Sequence, residues 1–331
     1  ALRGPDRAVL DAAAVAPGDP DHRLLAAATG VDENAVLAAL RAAVAAGLLT
    51  TVDGRLTWRH ALTRDAVLAA LLPPDRQAAA GRLAAALEVR EAPGDREAAA
   101  ALHADAGDHR RATALLLDLA RRDADRGALL HADELLVRAE ALGAAPGRVA
   151  ADRVRVLTLR GRAAEALAVG DAVLDSGEVT GDEHAELCLR LARAAVLGVR
   201  YAEAEERVAR AARPDDPRSL VLAADAAYGA GDTGTASVRA RAAVDAADRA
   251  LSSAGSGTPD PTATSEAAAT LCEALLVLGR CAMTDEDLDA AALVTRAAGV
   301  AAEHGLTPWR VEAMVALGTH RMSAGDASAA D

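Results

Sequence analysis

The chain has 331 residues, with 36 basic side chains, all arginine, against 49 acids and a net charge of −13. It has no Phe, Ile or Lys, only two Trp and two Tyr, and Ala at more than a quarter of its positions. A sheet-rich fold draws on β-branched and aromatic residues, whereas Ala, Leu and Arg lead the helix scale, so the composition predicts an all-α protein. The acidic surplus argues against gripping a phosphate backbone by bulk charge.

A membrane span needs about 20 apolar residues, and the longest run free of acids and arginine is Ala42–Val52. No signal-peptide pattern opens the chain. Cys188, Cys272 and Cys281 show no C-x-x-C spacing and read as small buried apolar residues in a reducing compartment. The expected setting is cytoplasmic.

In chain order, Pro5–Val15, Asp21–Ala28 and Asp32–Ala46 read as three short helices, the third capped by Asp32 and stopped by Gly47. Leu48–Trp58 places β-branched and apolar residues around Asp53-Gly54 and predicts a β-hairpin. Three helices followed by a hairpin is the order of a winged helix. Helical patterning resumes at His60–Leu72, breaks at Pro73-Pro74 and returns over Asp75–Arg90. Residues 1–92 therefore form the expected winged-helix domain with trailing helices.

Residues 93–331 are repetitive. Short Ala-rich helices alternate with turns at Ala106-Gly107-Asp108, Arg126-Gly127, Arg160-Gly161, Gly198-Val199-Arg200, Ala230-Gly231-Asp232 and Ala324-Gly325-Asp326. After most turns, small residues recur seven apart: Ala132/Ala139, Ala204/Ala211, Ala236/Ala243 and Ala291/Ala298, with Ala166/Val173 as a looser member. Seven residues is two helical turns on one face. A period near 34 built from helix–turn–helix units is the tetratricopeptide (TPR) signature, best preserved from Tyr201 to Ala211. A Ser/Gly/Thr/Pro stretch at about 251–265 reads as an inserted flexible loop. Asp216-Pro217 and Thr307-Pro308 pair a capping residue with a proline at the first helical position. Thr180 and Glu183 have the spacing of a capping box. The last repeat is incomplete, so the natural protein is expected to continue past Asp331.

Two segments carry a family resemblance. They are Leu56-Thr-Trp-Arg-His60-Ala-Leu-Thr-Arg64-Asp, running on to Arg76, and Glu303-His-Gly-Leu-Thr-Pro-Trp309-Arg310, running on to Gly318. Both resemble the large ATP-binding transcriptional regulators of the LuxR family, signalling NTPases common in actinobacterial gene clusters. Trp58 stands where family members usually carry Phe before the Arg-His pair. The resemblance implies a P-loop ATPase before this region and a helix-turn-helix DNA-binding domain after it. With no lysine, the chain holds no G-x-x-x-x-G-K-[S/T] of its own. It is expected to be an internal piece, a winged helix plus a sensor-like TPR array, whose full-length protein uses ATP and ADP.

By the same resemblance, His60 faces the phosphates of a nucleotide bound to the absent ATPase, with Arg59 or Arg64 as charged partner; an imidazole can donate to a phosphate oxygen. The other reading of His60 is a side chain packed between hairpin and helix. The helix over Asp32–Ala46 offers Arg41 against Asp32 and Glu33, too little cation for DNA contact. DNA would be met only through the missing domain.

His103 and His109 lack companions for a metal set. Asp285-Glu286-Asp287 with Asp289 lacks the Gly and distal Glu of an EF-hand and suits a helix N-terminus. No catalytic constellation and no metal site is found, and an enzyme activity of this segment is not expected.

What remains is the concave face of a TPR stack, lined by the first helix of each repeat. Arg153, Arg155, Arg190, Arg193, Arg280 and Arg310 lie on those helices. They either clamp carboxylate or phosphate groups of a protein or small-molecule effector or pair with the plentiful acids. The expected function is the signal-sensing, protein-binding arm of an ATP-dependent transcription activator. The alternative is a stand-alone TPR scaffold without a nucleotide switch.

Overall fold

The computed structural model describes residues 4–90, 92–254, 261–285 and 289–323. Within them lie helices and one two-stranded antiparallel sheet, which is the all-α class the composition predicts. The residues divide by packing into two compact units, one ending at Ala145 and one starting at Pro146.

The first unit opens with α1 (Pro5–Val15), α2 (His22–Thr29) and α3 (Glu33–Ala45). The Asp21 carboxylate accepts from the Arg23 and Leu24 amides, and Asp32 accepts from Asn34. Asp32 is thus the cap expected of it, and Asp21 is likewise a cap, just outside the helix it was expected to begin. Strands β1 (Leu49–Val52) and β2 (Arg55–Trp58) pair Leu49 with Trp58 and Val52 with Arg55. Asp53 and Gly54, both at positive φ, make the turn, the backbone a tight two-residue hairpin requires. Val9, Leu25, Val36, Leu40 and Leu49 form the core of this part, with Trp58 and Leu56 packed against it. The element order expected of a winged helix is thus present.

The unit continues with α4 (Ala61–Ala69), α5 (Pro73–Arg90), α6 (Asp95–Asp105), α7 (His109–Asp125) and α8 (Leu129–Ala141). Pro73-Pro74 does not interrupt a helix but opens α5, where a missing N–H costs nothing. Because α5 packs on both α2 and α6, α6, α7 and α8 share the first compact unit and do not separate from it at residue 92.

The second unit stacks α9 (Pro146–Leu159), α10 (Ala163–Asp175), α11 (Gly181–Leu197), α12 (Tyr201–Ala211), α13 (Pro217–Gly229), α14 (Thr233–Ala254), α15 (Pro261–Thr284), α16 (Ala290–Glu303) and α17 (Thr307–Ser323). Each helix packs on the next, and α9, α11, α13, α15 and α17 also touch one another in series. That is the two-layer stacking of TPR-like pairs. The expected loop at 251–265 is largely helix: α14 runs to Ala254 and α15 begins at Pro261, a residue suited to a first helical turn. Residues 255–260, the turn at 324–326 with the tail to Asp331, and Glu286 and Asp287 of the acidic run lie outside the described residues.

The small-residue pairs sit where the layers meet. Ala132, Ala139, Ala166, Ala204, Ala236 and Ala243 have no exposed surface, and Ala211 has almost none. In α16 the pair that does so is Ala290/Ala297, not Ala291/Ala298. In so Ala-rich a sequence neighbouring registers look alike, and only packing separates them.

Several of the turns that join helices share one closure. Gly107, Gly127, Gly161, Gly231 and Gly305 each donate back to the carbonyl three residues earlier, and the following amide reaches the carbonyl five residues before it. All five adopt positive φ, as a Schellman end requires. After α11 the same two bonds form, but the positive φ falls on Val199 and not on Gly198.

Two expected caps differ. Thr180 precedes α11 without a side-chain cap bond, and Glu183 reaches Arg148 at 3.3 Å instead of closing a capping box. Helix α17 starts at Thr307, so Pro308 is its second residue. Asp216 caps α13 as expected, accepting from the Arg218 amide.

Candidate functional site

The second unit holds an open groove of about 630 Å³ walled by α9, α11, α13, α15 and α17, a volume ordinary for a ligand site. These helices alternate with the outer ones, so their inward faces are free of the second layer. Leu159 and Leu197 expose apolar surface to it beside the indole of Trp309, and the nearly buried Leu189, Leu222 and Leu276 underlie it.

Of the six arginines singled out in the sequence, the groove collects Arg155, Arg190, Arg193 and Arg280. Arg153 and Arg310 share helices with groove residues but lie outside its lining, and Arg310 is exposed. Arg218, which sequence reasoning missed, joins the wall from the first turn of α13. Its place beside the Asp216-Pro217 helix start hid it as part of a cap. The acids Glu186, Asp225, Glu266, Glu273 and Glu312 complete the charged lining. They are the other half of the site, and no spacing in the sequence marks them as partners of its arginines.

These charges form a network across helices. Glu186 accepts from Arg190 at 2.8 Å and from Arg218 at 2.9 Å. Arg193 pairs with Glu273 and lies 3.7 Å from Asp225. Arg280 donates to Asp225 at 2.5 Å, approaches Glu312 at 3.9 Å and stands 5.5 Å from the centre of the Tyr228 ring. Burial alone would push the Glu186 carboxyl up, yet Arg190 and Arg218 hold it below the ordinary carboxylate range. Burial likewise works against charge on Arg193, and Glu273 and Asp225 more than offset it. Glu312 goes the other way. Burial raises it, with Glu273 and Asp225 adding to the rise and Arg280 and Arg193 opposing it. Arginines held in this manner are pre-oriented donors, and a bound carboxylate can exchange with a resident one in a bidentate arrangement.

In the first unit, His60 occupies the N-cap position of α4, exposed and without a side-chain cap bond. Arg59 is exposed beside it, its amide donating to Leu48 across the hairpin base. Arg64 is committed elsewhere: its Nε donates to the Ala14 carbonyl at 2.8 Å and a terminal nitrogen to Ala16 at 2.9 Å. It closes the C-terminal carbonyls of α1 and fixes α4 there. His60 and Arg59 therefore share an open surface with Leu62, which is 79% exposed, while Arg64 points into the fold.

His103 is buried and shares Glu88 with Arg111, its Nε2 lying 2.8 Å from the carboxylate. Among the described residues no group of three or more His, Cys, Asp or Glu could hold a metal ion. All three cysteines are free and buried, and burial pushes the Cys272 thiol up to about 11. Helix α15 is long and apolar enough over Ala263–Thr284 to cross a membrane by length and composition, but 67% of that window is buried inside the protein. Its charged interruptions, Glu266, Glu273 and Arg280, all line the groove. It is placed as a core helix.

The fold and groove define a TPR-like helical repeat protein. No family model and no curated protein matches the chain. Among solved structures, the chain is similar to a Signal Transduction ATPase with Numerous Domains (STAND) protein with a tetratricopeptide repeat sensor from Pyrococcus horikoshii, at 13% identity and a TM-score of 0.63. The match covers 97% of this chain and 48% of that one, so the chain spans about half the length of the protein it resembles.

Proposed function

We propose that this chain is the sensor and partner-binding region of an ATP-dependent, cytoplasmic LuxR-family transcription regulator. The groove on α9, α11, α13, α15 and α17 carries the reading, because it offers oriented arginines and acids around an apolar floor, the lining of a recognition site. The likeness to a STAND protein with a TPR sensor supports it. On this reading α1–α3 with the hairpin form a winged helix that docks on an ATPase elsewhere in the protein. His60 and Arg59 meet the phosphates of its ADP, and DNA is reached through a further domain. The segment itself catalyses nothing.

An effector in the groove then acts by differential affinity. It favours the arrangement in which the winged helix releases the ADP-bound ATPase. Coupling of this kind changes affinity by about 5- to 150-fold. ADP binding to the full-length protein, measured by calorimetry with and without effector, should differ by a factor in that range. Equal affinities would remove the switch and leave a TPR scaffold. His60→Ala should weaken ADP binding in the absence of effector, and unchanged binding would take His60 out of the mechanism.

A further inference from the structure

The outer layer of the second unit holds a hollow of its own. It measures about 320 Å³ and lies where α12 turns into α13, with α14 as its third wall. It shares no lining residue with the groove, to which α12 and α14 contribute nothing. Helix α13 has a face in each: Arg218, Leu222 and Asp225 line the groove, and Ser219, Leu220 and Ala223 line the hollow. An apolar cavity of roughly 150 Å³ takes a benzene ring, so the hollow suits a ligand of about ten non-hydrogen atoms.

Its walls set the chemistry. Val208, Ala212, Pro214 and Leu220 favour a ligand with an apolar body. Arg213 enters from the α12–α13 turn and Arg239 from α14. Each already holds an acid. Arg213 donates to Asp182 at 2.5 Å and lies 3.9 Å from Asp216, and Arg239 donates to Glu205 at 2.5 Å and to the Ala223 carbonyl at 3.0 Å. The side chains of Asp182 and Glu205 are 99% and 48% exposed. Exposed pairs of this kind contribute little, so a carboxylate seated in the hollow exchanges with them while the resident acids return to water. Ser219 supplies a further donor. It is 2% exposed, and its hydroxyl is buried without a hydrogen-bond partner. An unmet buried donor costs free energy, and a ligand oxygen supplies its acceptor once the hydroxyl turns toward the hollow.

We propose that the hollow binds a small carboxylic acid with an apolar body, its carboxylate accepting from Arg239, Arg213 and Ser219 and its body lying on Val208 and Leu220. This second ligand site stands apart from the groove and does not depend on the sensor reading.

Calorimetric titration of the 331-residue chain with sodium octanoate, kept below its micelle-forming concentration, tests the site. Octanol and octylammonium serve as neutral and cationic probes of equal length. Octanoate should bind, and the other two should bind about 10-fold or more weakly, the loss of a charge-assisted contact. Arg239→Gln and Ser219→Ala should each weaken octanoate by about 3- to 10-fold. Ala223→Leu, which fills the hollow, should abolish its binding. Melting curves confirm each variant as folded, and the half-exposed Arg239 position carries the test if Ala223→Leu does not fold. Silence from octanoate would overturn the site, as would octanol binding equally well. So would octanoate binding that Arg239→Gln and Ser219→Ala leave unchanged, or that survives in folded Ala223→Leu. The ADP measurement judges the sensor reading separately.

Discussion

Val199 is the residue at which local chemistry and packing disagree. It closes α11 with the same pair of backbone bonds that glycines make at seven other described helix ends, and it does so at φ 61°. A β-branched side chain is disfavoured there, at a cost of about 1–2 kcal/mol. The neighbouring Gly198 is held for a different reason: a Cβ on it would stand 3.2 Å from both the Ala163 Cβ and the Ala194 carbonyl. The glycine that the turn needs has been drawn one position back by contact with α10. Val199→Gly should therefore stabilise the protein by about 1 kcal/mol, after allowing for the extra freedom of glycine in the unfolded chain, read as a rise in melting temperature. Position 199 is 70% exposed, so little packing is lost. Arg64 shows the opposite lesson. Its motif setting pointed outward to a nucleotide, and its guanidinium instead satisfies two carbonyls of α1.

At the scale of elements, the contact of α12 with α13 depends on absence of a side chain. The Tyr201 ring, at the start of α12, fills the space over Gly229 at the end of α13, where a Cβ would lie 2.2 Å from a ring carbon. Alanine would gain about 1 kcal/mol in helix propensity, but the aromatic ring would have to move out of a packed layer. Overpacking of this kind costs about 1–3 kcal/mol. Gly229→Ala should lower the melting temperature, and Gly229→Ala combined with Tyr201→Leu should recover part of the loss. A melting curve unchanged by Gly229→Ala would show that the ring relaxes freely. The same principle runs through the small-residue pairs: Ala204 and Ala243 are fully buried because only a methyl fits between the layers.

For the whole molecule, the shifted groups set a pH profile. Arg111 holds Glu88, Arg90 holds Asp95, and Arg190 with Arg218 holds Glu186, each below the ordinary carboxylate range. Their stabilisation is complete above the unfolded values near pH 4 and is lost as pH falls through the lower folded ones. Glu312, raised in the fold, acts in reverse, and its contribution fades as pH rises through its folded value. His131, raised chiefly by its bond to Asp123, likewise stabilises below its ordinary value and loses that effect as pH rises through the higher folded one. Stability should peak between about pH 5 and 6.5, decline modestly toward pH 8 and fall steeply below pH 4. Thermal melts across that range check it, and a maximum above pH 8 would contradict the assignment.

The sequence by itself determined the helical class, the hairpin at Asp53-Gly54, the bounds of α1 and the alternation of helices from α6 onward. These follow from propensity, glycine turns and seven-residue spacing, all local or periodic signals that survive without knowledge of neighbours. It also pointed to the first helices of the repeats, which line the groove. The tertiary structure alone decided which side chains face one another. It moved the buried pair in α16 from Ala291/Ala298 to Ala290/Ala297, took Arg153 and Arg310 out of the groove and brought in Arg218. It also showed that Arg193, Arg218 and Arg280 pair with acids from other helices. Periodicity fixes a residue's place on a helix to within one position in an Ala-rich chain. Facing direction and charge balance depend on contacts between helices 30 to 80 residues apart, such as Arg193 with Glu273, and no local pattern encodes them.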